Sequence, residues 1–335
     1  MQDVALRSGV SESTVSHVIN GTKAVSASTR ERVERAMREL SYHRDSQARR
    51  LARGHSDVLG LVISDIENPF FPGLIKAFEA AALSAGYEML LRTTGYDPLR
   101  AANALRTVIE NRSPGVAIMT SRISGDAAAI LAEHGTAAVF LDSQQAGELT
   151  SVLRIDYAKG AREAVLCLYH LGHREFAMIA GPQQRPSHRI YREAVEAALG
   201  ERGLAIRVIE GSNDVAGGEA AIGSLLGAPR MPSAILCSND LTAVGAIRAL
   251  TRSGVQVPAE VSVVGADDIP FAELTRPSLT TVRIPRERLG ELAVHHLIGL
   301  IGPNRQPGRE ELIDTSLVIR ETTAMAPNRS TTGVR

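Results

Sequence analysis

The chain has 335 residues, 44% of them hydrophobic and 22% charged, with 37 Lys plus Arg balanced by 37 Asp plus Glu. This length suits two or three globular domains, and the ordinary mixture excludes collagen-like, low-complexity and disulfide-stapled small proteins. No run of 18 apolar residues occurs and no basic segment followed by an apolar one opens the chain, so neither a membrane span nor a secretion signal is read and a cytoplasmic protein is expected. The two cysteines, Cys167 and Cys237, lie far apart in apolar runs, which fits reduced core thiols rather than a metal site.

The charge is unevenly spread. Residues 1–56 hold ten Lys plus Arg against six acids, a net +4, which leaves −4 on the remainder. A basic head on a neutral or acidic body suits contact with nucleic acid, although solvated surface charge gives the same count. Within the head, Asp3 to Asn20 (DVALRSGVSESTVSHVIN) reads as helix, turn and helix. Gly9 supplies the turn and Ser11 the N-cap of the second helix. In that second helix Val15, Val18 and Ile19 share one buried face, while Ser13, Ser16, His17 and Asn20 share the opposite one. Small hydrogen-bonding side chains on that face suit base edges and phosphates; a solvated face of a helical bundle is the plainer alternative. Ser26 to Leu40 reads as a third helix, capped by Ser26, with Val33, Ala36, Met37 and Leu40 packing over the first two. Residues 45–53 (DSQARRLAR) offer one or two marginal helical turns or a plain basic linker. As a helix pressed into DNA, the segment would place Leu51 as a wedge in the minor groove.

From Asp57 the texture changes to short apolar runs alternating with amphipathic helices. Strands are expected at 58–64, 88–93, 116–119, 138–142, 176–180, 234–238 and 261–265. Helices are expected at 72–85, 98–111, 126–134, 159–171, 190–202, 216–226 and 241–253. Such alternation implies parallel sheets covered on both faces, and the strand number favours two lobes with a ligand cleft at the carboxyl ends of the strands. Asp142, Asn239, Asp240, Asp267 and Asp268 stand at those ends, and each is expected to face the cleft. The domain reading is a headpiece at 1–44, a hinge at 45–56, a two-lobed ligand-binding and dimerisation domain at 57–323 and a disordered tail at 324–335.

These motifs, with IENPFF at 66–71, LGHREFAMIAGP at 171–182, SNDLTAVGAIRAL at 238–250 and VPAEVSVVGADDIPFAELTRPSLTTVR at 257–283, appear in register over nearly the whole chain. In this the sequence resembles the lactose-repressor (LacI/GalR) family of bacterial transcription regulators. The fold implied is an all-α helix-turn-helix headpiece joined to an α/β sensor of two doubly wound parallel-sheet lobes, like a periplasmic binding protein. The function implied is an effector-controlled, sequence-specific repressor of sugar or related metabolite genes. It would bind a near-palindromic operator in double-stranded DNA as a homodimer or a dimer of dimers, with a sugar or sugar derivative as effector. Carried over by position, Thr14, Ser16 and Asn20 approach the DNA backbone, Glu12, Ser13 and His17 read bases, and Ala48 and Leu51 belong to the hinge helix. His17 stands where arginine is usual, which implies a different operator preference, and Arg44-Asp45 replaces the usual Pro-Asn. Members carry a few residues before Asp3, so an upstream start is expected.

In the sensor the resemblance assigns Phe70 and Phe71 to the site wall and Asp142, Asn239 and Asp267 to polar effector contacts. The family's effector-binding arginine falls at Tyr191, with Arg189 or Arg192 as candidates to replace it. Asn213 takes the place of an aromatic platform. No cofactor and no metal are implied. Two other functions stand against this one. A small-molecule binding protein with a non-functional head shares the lobes, but a transport protein of that class is expected to have a signal peptide and no DNA-binding head. An enzyme is not supported, because no phosphate loop, nucleophile elbow or metal-spaced His/Cys set is present. His295-His296 reads as a partly exposed structural pair.

Overall fold

The computed structural model describes residues 1–20, 23–40, 42, 56–120, 123–228, 230–302 and 304–328. Ala48 and Leu51, with residues 45–55 of the hinge expected at 45–56, lie outside the described residues. The chain separates into two compact units, Met1–His55 and Ser56–Arg335.

The first unit has three helices, α1 (Gln2–Ser8), α2 (Glu12–Asn20) and α3 (Ala27–Glu39). Gly9 closes α1 with φ 66°, a conformation open to glycine without strain, and the chain turns there. Ser11 and Ser26 act as N-caps, their hydroxyl oxygens accepting from the Thr14 and Thr29 amides at 3.2 and 3.3 Å. The core is small: Val4, Ala5, Val15, Val18, Val33 and Ala36 are buried, with Ile19, Met37 and Tyr42 packed against them. Leu40, expected in this core, is 42% exposed: α3 ends at Glu39, and Leu40 is its C-cap residue.

The second unit holds two six-stranded sheets. The first lobe pairs β1 (Val58–Ile63), β2 (Glu88–Thr93), β3 (Gly115–Met119), β4 (Ala137–Leu141) and β5 (Thr150–Asp156) with the late strand β11 (Glu310–Asp314). Its order is β11-β5-β4-β3-β1-β2, all parallel. The second lobe is built from β6 (Phe176–Ala180), β7 (Ile206–Glu210), β8 (Ala234–Cys237), β9 (Ser262–Asp267), β10 (Thr280–Arg283) and β12 (Ser316–Val318). Its order is β12-β10-β9-β8-β6-β7, with β12 the one antiparallel member among the described strands. Both orders reverse direction at the first strand of the lobe, the topology that opens a crevice beyond the strand ends.

Helices cover both faces of each sheet. In the first lobe α4 (Phe70–Ser84) packs with the long α12 (Arg286–Ile301), while α5 (Pro98–Glu110) and α6 (Ala127–Glu133) cover the other face. In the second, α7 (Tyr157–His170) and α8 (Pro186–Gly200) share one face. The other carries α9 (Val215–Leu226) and α10 (Asp240–Arg252), and the single turn α11 (Pro270–Leu274) adds Ala272 to that core. The chain crosses between lobes at β5–α7, β10–α12 and β11–β12. The first crossing is marked by Tyr157, whose ring packs against the cores of both lobes. At the end of the chain, Ala324 accepts from His173 and donates to Ser262, and the Ala326 amide donates to Leu171. The packed chain therefore runs past the expected boundary at residue 323.

Candidate functional site

A cleft of about 890 Å³, counting space open to solvent, lies between the carboxyl ends of the two sheets. Side chains reach it from the ends of β1 to β5 in one lobe and from β7 to β10 and the start of α8 in the other. Of the expected effector residues, Phe70, Phe71, Asp142, Tyr191, Asn213, Asn239 and Asp267 all line it. Four lining residues have a positive φ without being glycine: Tyr96 (60°), Asp142 (52°), Asn213 (66°) and Asp267 (109°). Such backbone conformations cost energy and gather where a site demands a particular side-chain direction.

Asp142 hangs just past β4. One carboxylate oxygen accepts from the Ile155 amide and the other from the Tyr157 hydroxyl, both at 2.8 Å. Burial outweighs these donors and pushes its carboxyl up to about 6. Asp267 ends β9, and among the described residues no donor reaches its carboxyl. Burial, reinforced by Asp240 and only partly offset by Arg286, raises it well above the usual carboxylate range. The two asparagines are less open to a ligand than their position suggests. Asn239 caps α10, accepting from the Thr242 amide at 2.9 Å while its NH2 donates to the Asn213 carbonyl at 3.1 Å. Asn213 in turn accepts from the Ser238 hydroxyl at 2.9 Å. These amides fix the floor of the second lobe and retain part of their hydrogen-bonding capacity.

Helix α8 explains which of its residues reach the cleft. It starts at Pro186, and its inward face at i, i+3 and i+7 is His188, Tyr191 and Val195. Arg189 and Arg192 face away as i,i+4 partners of Glu193 and Glu196 at 3.8 and 2.8 Å, so neither replaces an effector-binding arginine. The cation in the cleft is Arg185, the N-cap residue of α8, with its guanidinium carbon 3.5 Å from the centre of the Tyr96 ring. Among the described residues no hydrogen-bond partner reaches the buried Tyr191 hydroxyl or His188 Nδ1. Burial, aided by Arg185, brings His188 down to about 4, so the imidazole is neutral.

Two strand-end acids expected in the cleft are directed elsewhere. Asp240 turns beneath the sheet, accepting from Thr281 Oγ1 at 2.5 Å and the Ile269 amide at 2.8 Å, and burial pushes it up to about 7. Asp268 pairs with Arg283 and Arg320 at 2.6 and 2.7 Å; although burial opposes it, these guanidiniums hold its carboxyl low. Tyr96, Tyr157, Arg185, Ser187 and His188 were missed from sequence. Tyr157 directly follows β5 and Tyr96 stands three residues past β2, so strand-end logic reaches Tyr157 once β5 is recognised.

In the first unit, Glu12 and Ser13 are exposed on α2, and Thr14, Ser16 and His17 are half-buried. Ser13 and Thr14 hydroxyls share hydrogen bonds with Ser11 at 2.8 and 2.9 Å, which orders the start of that helix. His295 is exposed and His296 buried, its Nε2 on Glu311 at 2.7 Å. Among the described residues no group of three His, Cys, Asp or Glu is placed to hold a metal, and no helix is long and apolar enough to cross a membrane.

Comparison with known proteins agrees with both units. Residues 1–45 match the bacterial regulatory proteins of the lacI family, and residues 165–323 match the periplasmic binding protein-like domain. The HTH-type transcriptional repressor PurR of Erwinia tasmaniensis is 32% identical over 334 residues, 98% of each chain. The ribose operon repressor of Escherichia coli is 33% identical over 317 residues, 93% of this chain and 96% of its own. A crystal structure of the lac repressor dimer bound to operator and the anti-inducer ONPF superposes with a TM-score of 0.84 at 30% identity, covering 96% of this chain and 98% of that one. With such identity over almost its entire length, the chain belongs to the lacI family of bacterial transcriptional regulators.

Proposed function

We propose that this protein is a dimeric, effector-controlled repressor in which the interlobe cleft takes a small polar effector and α2 reads an operator. The observation that carries this reading is the cleft itself. Asp267 and the Tyr191 hydroxyl lie there in the second lobe with no hydrogen-bond partner among the described residues, opposite Asp142 in the first. Buried polar groups left unpaired are costly unless a ligand meets them. Phe70 and Phe71, packed edge to face at 5.3 Å, form an apolar wall for the carbon skeleton. The crystal structure of the lac repressor as a dimer on operator DNA with a small molecule supports the same partners here.

In the head, Glu12, Ser13 and His17 are assigned to base edges and Thr14, Ser16 and Asn20 to phosphates, with Ala48 and Leu51 in the hinge. A dimer would set one α2 in each half-site of a near-palindrome. Effector and operator each favour one arrangement of the lobes, so the coupling is a shift in population rather than a contact between ligands. The test is selection of bound sequences from a randomised DNA library by the full chain. Enrichment of a near-palindrome, with affinity falling steeply as salt rises, is expected. Enrichment of no sequence would leave a small-molecule binding protein with a silent head.

A further inference from the structure

The aromatic content of the chain is six Phe and six Tyr with no Trp. Five of those twelve rings, Phe70, Phe71, Tyr96, Tyr157 and Tyr191, line this one cleft. Aromatic faces carry partial negative charge and attract a cation lying within about 6 Å of the ring centre. The wall already does this internally, with the Arg185 guanidinium carbon 3.5 Å over Tyr96.

Two carboxyls stand among the rings, and among the described residues neither is hydrogen-bonded by a cation. Asp142 accepts from an amide and a phenol. Arg154, the charge that bears on Asp142, is engaged with the Gln144 carbonyl at 3.0 Å and Glu310 at 2.8 Å. Arg286, the charge that bears on Asp267, is engaged with the Asp268 carbonyl and with Glu287 at 3.2 Å. The Tyr191 hydroxyl, on a residue only 3% exposed, is a third group in the same cleft without a partner, and its oxygen accepts. A neutral hydroxyl from a ligand would only satisfy hydrogen bonds here, whereas a cation would in addition draw both carboxyls, which burial pushes toward the neutral form, into the charged one.

Resting on the reading of the cleft as the effector site, we propose that the effector is cationic: a small polar molecule bearing a protonated amine, whose ammonium sits between Asp267, Asp142 and the aromatic walls. An ammonium offers three donors, and the Asp267 carboxyl, the Asp142 carboxyl and the Tyr191 oxygen are acceptors lining the same cleft. Ligand charge then adds to the partial counter-charge that Arg154 and Arg286 supply without hydrogen-bonding either carboxyl.

The experiment is calorimetric titration of the full-length protein with matched pairs differing in one group: D-glucosamine and D-glucose, D-galactosamine and D-galactose, ethanolamine and ethylene glycol. At least one amine is expected to bind about tenfold tighter than its hydroxyl partner. Asp267→Asn should weaken the amine more than its hydroxyl partner and so remove most of that preference; a merely structural role would weaken both alike. The proposal is overturned if in every pair the hydroxyl compound binds as tightly as the amine, or if no amine binds at about 10 mM. Operator affinity measured with the same ligands separates the two readings. A neutral ligand that shifts operator affinity preserves the effector site and overturns the cationic one, whereas an amine that binds without shifting operator affinity preserves the cationic site and sinks the effector reading.

Discussion

Asp142 shows how a functional side chain burdens the fold that holds it. Its carboxyl titrates near 6 in the folded chain against an ordinary value of 3.8, because burial outweighs the Ile155 and Tyr157 donors. Between those two values the folded state holds a proton that the unfolded chain has released, so stability falls as pH rises from about 4 to about 6 and the loss persists above. The size is on the order of 2–3 kcal/mol. An asparagine in its place would be neutral throughout and still accept from an amide. Asp142→Asn should therefore gain stability over the parent at about pH 7.5 and gain much less at about pH 4, read by urea unfolding at both values. His188 titrates in the opposite sense, burial having lowered it to about 4, but it is common to both chains and cancels in the difference. An equal gain at both pH values would sink the argument. The residue scale is also where sequence reading was least able to see the site. Strand-end logic found Asp142 and Asp267 yet misplaced Asp240 and Asp268, because successive residues after a strand point in different directions and only the backbone turn decides which enters the cleft. Arg185 escaped for a related reason: the helix phase starts at Pro186, and counting from there turns Arg189 outward.

The elements that were legible are those whose apolar period is uninterrupted. Val58–Ile63 and Phe176–Ala180 are central strands buried on both faces, and their continuous apolar runs identified them. Ile206–Glu210 and Glu310–Asp314 were not recognised because they are outer strands with charged, half-exposed positions, and Ser316–Val318 is three residues long. Thr150–Asp156 carries Arg154 and two hydroxyl residues in an otherwise buried run, which masked its period. One packing device was invisible from spacing alone. Helices α9 and α10 cross where Gly218 faces the Thr242 carbonyl and Gly245 faces the Val215 carbonyl, so closely that a methyl group on either would collide with backbone. Backbone cannot rotate aside as a side chain can, so the two helices would have to separate and loosen the packing of Ala221, Ile222, Ala243 and Ala246. Gly245→Ala should cost about 1–3 kcal/mol in chemical denaturation, despite alanine's better helix propensity. Stabilisation by Gly245→Ala would mean that the helices do not cross this closely.

For the whole molecule the question is how two separately packed units act as one switch. The head is a unit of fewer than 60 residues with six buried apolar side chains in its core cluster among the described residues, so its own stability is small. The sensor is the larger unit, and its lobes meet at a cleft to which both contribute and at Tyr157, which belongs to both cores. Closing that cleft on a ligand is a change of state of the sensor, and an operator that prefers one state is thermodynamically linked to it. The linkage is reciprocal, with a typical coupling of about 5- to 150-fold. Whatever factor the effector applies to operator affinity, operator must apply to effector affinity, whether the effector loosens DNA binding or tightens it. Four dissociation constants test this: effector with and without saturating operator, and operator with and without saturating effector. The two ratios should agree within error and both should move toward one when Asp267→Asn weakens differential binding of the effector. A large ratio on one side with no change on the other would mean that the four constants do not describe one cycle, as when the ligand changes assembly of the dimer, and ratios left unmoved by Asp267→Asn would place the coupling outside the cleft.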